Sequence, residues 1–108
     1  MIGLDEFKRI DLQVGSITAA EALSGTRRLL KVQVDLGQEQ RTLVAGVAEH
    51  YRPDELVGLQ VIVVTNLEPT TIRGIVSEGM MLGVGCDEGQ DIALLTVNKE
   101  VENGSPVR

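Results

Sequence analysis

Between the strand-like runs Arg41–Val47 and Gln60–Thr65 the chain breaks once into a helical signal, and that interruption restricts its fold more than any other feature. Pro53-Asp54-Glu55-Leu56 places a proline and then two acids in a first helical turn. The proline's missing N–H is not needed there, the acids meet the positive end of the helix, and Gly58 ends it. Upstream, Asp11 to Ala19 alternates around Leu12, Val14 and Ile17, with Gly15 a natural bulge where a strand must bend. Leu29 to Val34 forms a second strand closed by the turn Asp35-Leu36-Gly37. Downstream, Gln60 to Thr65 is an apolar strand, Asn66 to Ser77 an excursion, and Gly79 to Val84 and Ile92 to Val97 supply the last strands.

Three strands, a short helix and then further strands match an all-β chain with one short helix: a five-stranded OB-fold barrel, plugged at one end between its third and fourth strands. A small β-sandwich would not call for a helix at that place. Leu4 to Phe7 is expected to make a helical turn over the other end, and Asn98 to Arg108 reads as a loop-like tail. With 108 residues, the chain holds one domain, 1–108, large enough to bury roughly two-thirds of its unfolded surface.

The single cysteine, Cys86, excludes an intramolecular disulfide framework and fits a reducing compartment. The acid-bearing start MIGLDEFKRI has no apolar signal region, and Leu59 to Val64 is too short to cross a bilayer, so a cytoplasmic protein is expected. Ten basic against sixteen acidic residues give a net charge of −6, which argues against a general polyanion binder. The excess is uneven. Residues 1–52 hold seven bases and seven acids, residues 53–108 three bases and nine acids. An anionic partner should therefore touch the first half plus the isolated Arg73. Aromatics are only Phe7 and Tyr51, so no row of stacking platforms for an unstructured strand can be built. An RNA partner would be read by shape, phosphates and one or two unstacked bases.

Catalytic chemistry is hard to assemble. His50 is the sole histidine, which leaves no multi-histidine metal cluster, and no metal or cofactor is expected. A His50–Cys86 nucleophile pair is conceivable, yet Gly85-Cys86-Asp87 reads more simply as a strand end. No GxxxxGK[ST] occurs, and Asp54-Glu55 and Asp87-Glu88 sit in helix-start and turn contexts. The segment from Asn66 to Met81 is different. A solitary Arg73 supplies a fork of donors for phosphate or a guanine edge, Asn66 and Ser77 short hydrogen bonds, and Gly79 room for a close backbone. Of Met80 and Met81, one must face the core, and the other is free to pack on a base.

At these residues the chain resembles the tRNA-binding domain shared by the C-terminal part of bacterial methionyl-tRNA synthetases, their free-standing β-subunit-like relatives and the cytokine-precursor domain of animal synthetase complexes. The resemblance runs from about Phe7 to Val107. It is carried by Asp11-Leu12-Gln13-Val14-Gly15, Leu29-Leu30-Lys31-Val32, Val34-Asp35-Leu36-Gly37, Arg41-Thr42-Leu43-Val44-Ala45-Gly46-Val47, Tyr51 to Gly58, Asn66-Leu67-Glu68-Pro69, and Arg73-Gly74 with Ser77-Glu78-Gly79-Met80. It implies a stand-alone, non-catalytic homodimer, joined through N- and C-terminal additions, that grips the corner of folded tRNA and can partner a methionyl-tRNA synthetase catalytic subunit. By matching position it implies Lys31, Asn66, Arg73, Ser77 and Met80 as RNA contacts, with Arg41 and Arg28 secondary.

Three positions depart from the family pattern. Gln13 stands where the family usually has Arg, Thr71 where it usually has Lys, and Ala45-Gly46-Val47 where relatives often have Ser-Gly-Ile. Two lost charges predict weak, micromolar-or-poorer binding and a salt slope flatter by roughly 1.5 units. The alternative is the CsaA-type export chaperones, which share fold and dimer but take unfolded polypeptide. An acidic surface suits basic preprotein segments, and a positive groove along Lys31, Arg41 and Arg73 suits RNA.

Overall fold

The computed structural model describes residues 1–85 and 91–108; Cys86 and the Asp87-Glu88 pair lie outside the described residues. The chain runs α1 (Leu4–Phe7), β1 (Leu12–Ala22), β2 (Leu30–Asp35), β3 (Gln40–Ala45), α2 (Pro53–Leu56), β4 (Gln60–Val64), β5 (Thr70–Ile72), β6 (Ile75–Ser77), β7 (Met80–Met81), β8 (Gly83–Val84) and β9 (Ala93–Leu94). A five-stranded antiparallel sheet in the order β3-β2-β1-β4-β7 curls into a nearly closed barrel.

β1 organises it. Its first half pairs with β4, Leu12 opposite Val64 through Ser16 opposite Gln60; its second pairs with β2, Ser16 opposite Asp35 through Ala22 opposite Leu30. The strand changes direction at a bulge between Ile17 and Ala19, two residues beyond the expected one. Gly15 has another role. A Cβ there would lie 2.5 Å from Val34 Cγ1 and 2.8 Å from Leu36 Cδ2, so glycine lets β1 and β2 approach.

Alternation along β2 buries Leu30, Val32 and Val34 and turns Lys31, Gln33 and Asp35 outward. These pack with Ile17, Leu43, Val61, Val63 and Met81 in one core. The helix plugs an end as the sequence predicts. Pro53 starts it, the Arg52 N–H donates to Glu55 Oε1 at 3.0 Å, and Leu56 is fully buried. Gly58 N–H to Ile17 O (2.8 Å) and Ile17 N–H to Leu59 O (2.9 Å) tie the plug to β1. Burying such a leucine contributes about 2 kcal/mol.

Closure runs through the joint of β6 and β7. Glu78 N–H donates to Thr42 O (2.8 Å), Thr42 N–H to Glu78 Oε1 (3.2 Å), and Val44 N–H to Ser77 Oγ (3.0 Å). Gly79, at φ 154°, passes so close to Val64 O that a Cβ would meet it at 2.8 Å.

Three expectations change. The Leu4–Phe7 turn forms but buries none of its residues, so it covers no barrel end. The last strand is only Ala93–Leu94, paired with Gly83–Val84 outside the main sheet, and Met80–Met81 is the fifth strand. The loop-like tail is docked: Gln13 pairs with Pro106, Ser105 O accepts from Val14 N–H at 3.0 Å, and Gln60 clamps both backbone groups of Val101.

Candidate nucleic-acid interface

The excursion after β4 is a two-stranded hairpin whose tip is Ile72-Arg73-Gly74-Ile75. Arg73 has φ 52° and Gly74 φ 80°, the paired left-handed residues of a tight primed turn. Glycine or asparagine would take Arg73's place with less strain, so the side chain rather than the backbone accounts for arginine there. Its base end packs on β3 through the Ser77–Val44 bond. Its tip reaches the β1–β2 loop, where a methyl on Gly25 would lie 3.5 Å from Arg73 Nη1. Arg27 and Arg28 lie in that loop, shaped by Arg28 N–H donating to Thr26 Oγ1 (3.1 Å) and Ala48 N–H to Arg28 O (3.1 Å). Among the described residues Arg27 and Arg73 face no carboxylate within salt-bridge distance.

Lys31 stands on the outer face of β2, across from Glu21 on one side and Val44 on the other. Its Nζ lies 3.6 Å from Glu21 Oε1, and the Arg28 Nε–Glu49 Oε1 pair is 3.9 Å apart. Exposed pairs at these distances bind weakly and yield readily to a phosphate. Beyond Val44 a groove of about 360 Å³ opens between β3 and the β7–β8 segment, with Met80 on its rim. Met80 is half exposed while Met81 is buried, as the alternation reading requires. The far wall, β8–β9, is held by Leu94 N–H donating to Tyr51 Oη (3.1 Å) and by His50 Nδ1 at 3.6 Å from Asp91 Oδ1.

The remaining candidates are spent internally. Ser77 is buried; its Oγ accepts from Val44 N–H and donates to Gly79 O at 3.2 Å. Asn66 accepts from Asp11 N–H at 2.9 Å and donates to Arg9 O at 2.6 Å, fastening the N-terminal segment. Arg41 turns into the opposite barrel end, pairs with Glu39, and donates to Thr65 O and to Glu78 O (3.1 Å). Gln13 faces the same end, its Nε2 3.5 Å from Thr65 Oγ1. The expected positive groove along Lys31, Arg41 and Arg73 therefore loses Arg41 and gains Arg27, which the sequence reading counted as a base without singling it out.

A small barrel of this order, with basic loops and a groove on one flank, is of the OB type, a class whose members bind oligonucleotides or oligosaccharides. The comparisons narrow the class. Residues 12–106 match the family described as "Putative tRNA binding domain", and the chain belongs to it. It is 45% identical over 107 residues to the methionine–tRNA ligase of Methanocaldococcus jannaschii, covering 99% of this chain and 16% of that protein. The structure of a MetRS-related protein from Pyrococcus horikoshii superposes with a TM-score of 0.93 at 36% identity, over 100% of this chain and 98% of that one. The chaperone CsaA of Bacillus anthracis superposes with a TM-score of 0.89 at 30% identity, over 100% and 99%. The chain thus spans about a sixth of the curated ligase it matches and nearly the whole of each of these two solved chains.

Proposed function

We propose that this tRNA-binding domain holds the corner of folded tRNA by shape, working without catalysis as a homodimer in the cytoplasm. The observation that carries the reading is Arg73 in a left-handed turn, set against the β1–β2 loop with Arg27 and beside the Lys31 face. Three cations at one barrel flank fit phosphates on two sides of a bent RNA surface, which an unfolded strand would not present together. Lys31, Arg73 and Met80 make contacts directly, with Arg28 and Arg27 at the rim; Ser77, Asn66 and Arg41 act by holding the barrel that presents them.

The dimer uses the terminal segments. Ile2, Leu4, Phe7 and Ile10 are exposed, and Val107, also exposed, docks next to β1 through its N–H bond to Leu12 O (2.9 Å). Sedimentation equilibrium should give twice the chain mass, and Phe7→Asp with Ile10→Asp should give the monomer. A methionyl-tRNA synthetase catalytic subunit is the partner this domain serves.

The test is a mobility-shift titration with folded tRNA, the same tRNA heat-unfolded, and duplex DNA, at low and physiological salt. Binding confined to folded tRNA is the expected outcome. Absence of binding even at low salt would transfer the groove, with its exposed Met80, to the CsaA-like reading of unfolded polypeptide.

A further inference from the structure

β3 presents a hydrogen-bonding pair to the groove that no described residue uses. Backbone groups alternate sides along a strand. Thr42 N–H, Thr42 C=O and Val44 N–H all point away from β2, because they bond Glu78 and Ser77. The same alternation sends Val44 C=O and Gly46 N–H to that outer edge. Neither has a partner among the described residues, and both residues line the groove that Met80 borders. Gly46 is exposed and Val44 half-buried, so among the described residues this pair is within reach from the groove.

Resting on the RNA reading above, we infer that this edge receives the Watson–Crick side of a single unstacked base of the bound tRNA. Gly46 N–H donates to the base and Val44 C=O accepts from it, while the Met80 thioether covers one base face. Lys31, directly across from Val44, takes a phosphate next to that base. A, C, G and U each carry a donor beside an acceptor on that side. A and C fit one way round, G and U the other. The site therefore demands an unpaired base without choosing its identity, which is how a chain with two aromatics reads shape.

The alternative occupant of a free strand edge is an extended polypeptide. Strand addition gains its affinity from a run of main-chain bonds. Here the run is one residue pair long: Ser77 and Glu78 occupy the edge on one side, and on the other the chain folds away as Ala48 N–H bonds Arg28 O. A flat base fits that interval better than a strand.

Gly46→Pro removes the donor and sets a ring carbon in its place, and Ala45 before it is already extended, as a proline requires. Gly46→Ala keeps the donor. With a tRNA transcript at physiological salt, Gly46→Pro should bind roughly tenfold more weakly and Gly46→Ala within about twofold of the parent. In the ¹⁵N-labelled parent, the Gly46 amide should shift on saturation with the transcript. Equal affinity of a folded Gly46→Pro variant and the parent overturns the inference. So does a Gly46 amide that stays put while tRNA binds, a readout that does not depend on the variant folding. A parent that binds no tRNA at all sinks the RNA reading itself. A Gly46 shift produced by reduced, carboxymethylated lactalbumin but not by tRNA assigns the edge to polypeptide.

Discussion

The two ends of the barrel carry similar side chains to opposite effect. At the end near the β5–β6 hairpin, Arg73, Arg27 and Lys31 stand with weak carboxylate partners or, among the described residues, with none. At the other, Arg41, Gln13 and Asn66 are drawn into backbone and side-chain hydrogen bonds with Thr65, Glu78, Arg9 and Asp11. One arginine is held by acceptors the fold would otherwise leave open; the other is held in a strained turn by nothing but its own place in the hairpin. Residue type alone says nothing about which is which. A guanidinium that satisfies buried carbonyls is structural, and one that leaves its five donors unspent is available to a partner.

The largest break of this comparison is the double substitution Lys31→Ala with Arg73→Ala. It should lower tRNA affinity at least a hundredfold at physiological salt while the two changes together cost no more than about 1 kcal/mol, a melting shift of at most about 4–8 °C, since surface substitutions seldom exceed about 0.5 kcal/mol each. Binding that survives would place the RNA elsewhere on the barrel.

The side chains spent on internal hydrogen bonds should give the mirror result. Ser77→Ala leaves the Val44 N–H unpaired, and Arg41→Ala leaves Thr65 O and Glu78 O without their shared donor. Each should cost about 1–3 kcal/mol of stability in urea unfolding, with tRNA affinity within about threefold of the parent at temperatures where the fold is intact. A hundredfold affinity loss in a stable Ser77→Ala protein would return Ser77 to the contact set.

How much of this was legible in the residues follows the same division. Pro53-Asp54-Glu55-Leu56 and the apolar run of β4 carry their own local signals, so the barrel order could be read directly. Gly15 misled because a close approach and a bulge both call for glycine, and only the position of Val34 and Leu36 separates them. The docked tail left no trace, because its anchors, Gln60, Ser16 and Asn103, are ordinary polar residues that become partners only after folding. The resemblance placed Lys31, Asn66, Arg73, Ser77 and Met80 in one set, with Arg41 and Arg28 secondary, for the same reason: a motif records that a residue type recurs, not which of its hydrogen bonds the fold consumes.

Arg73→Gly sharpens the contrast at a single position. Glycine takes φ near +50° without penalty, so the hairpin should gain stability or stay level, within about 1 kcal/mol, while tRNA binding falls roughly tenfold. A change that helps the fold and harms the complex marks a residue kept for its partner. If affinity and stability fell together, Arg73 would belong with Arg41 as a structural arginine.

The smallest effect tests where charge counts. Thr71 and Gln13 are the two positions where the resemblance leads one to expect a base and this chain has none. Thr71 is exposed on β5, two residues from Arg73, whereas Gln13 points into the Arg41 end and bonds weakly to Thr65. Thr71→Lys should therefore add one phosphate contact, tightening tRNA binding a few-fold and steepening the logarithmic salt dependence by about 0.7–0.9 units. Gln13→Lys should leave the slope unchanged and, by setting a second cation beside Arg41, lower stability slightly. The expected loss of two contacts then reduces to one, and equal slopes for the two variants would mean the RNA spans both barrel ends.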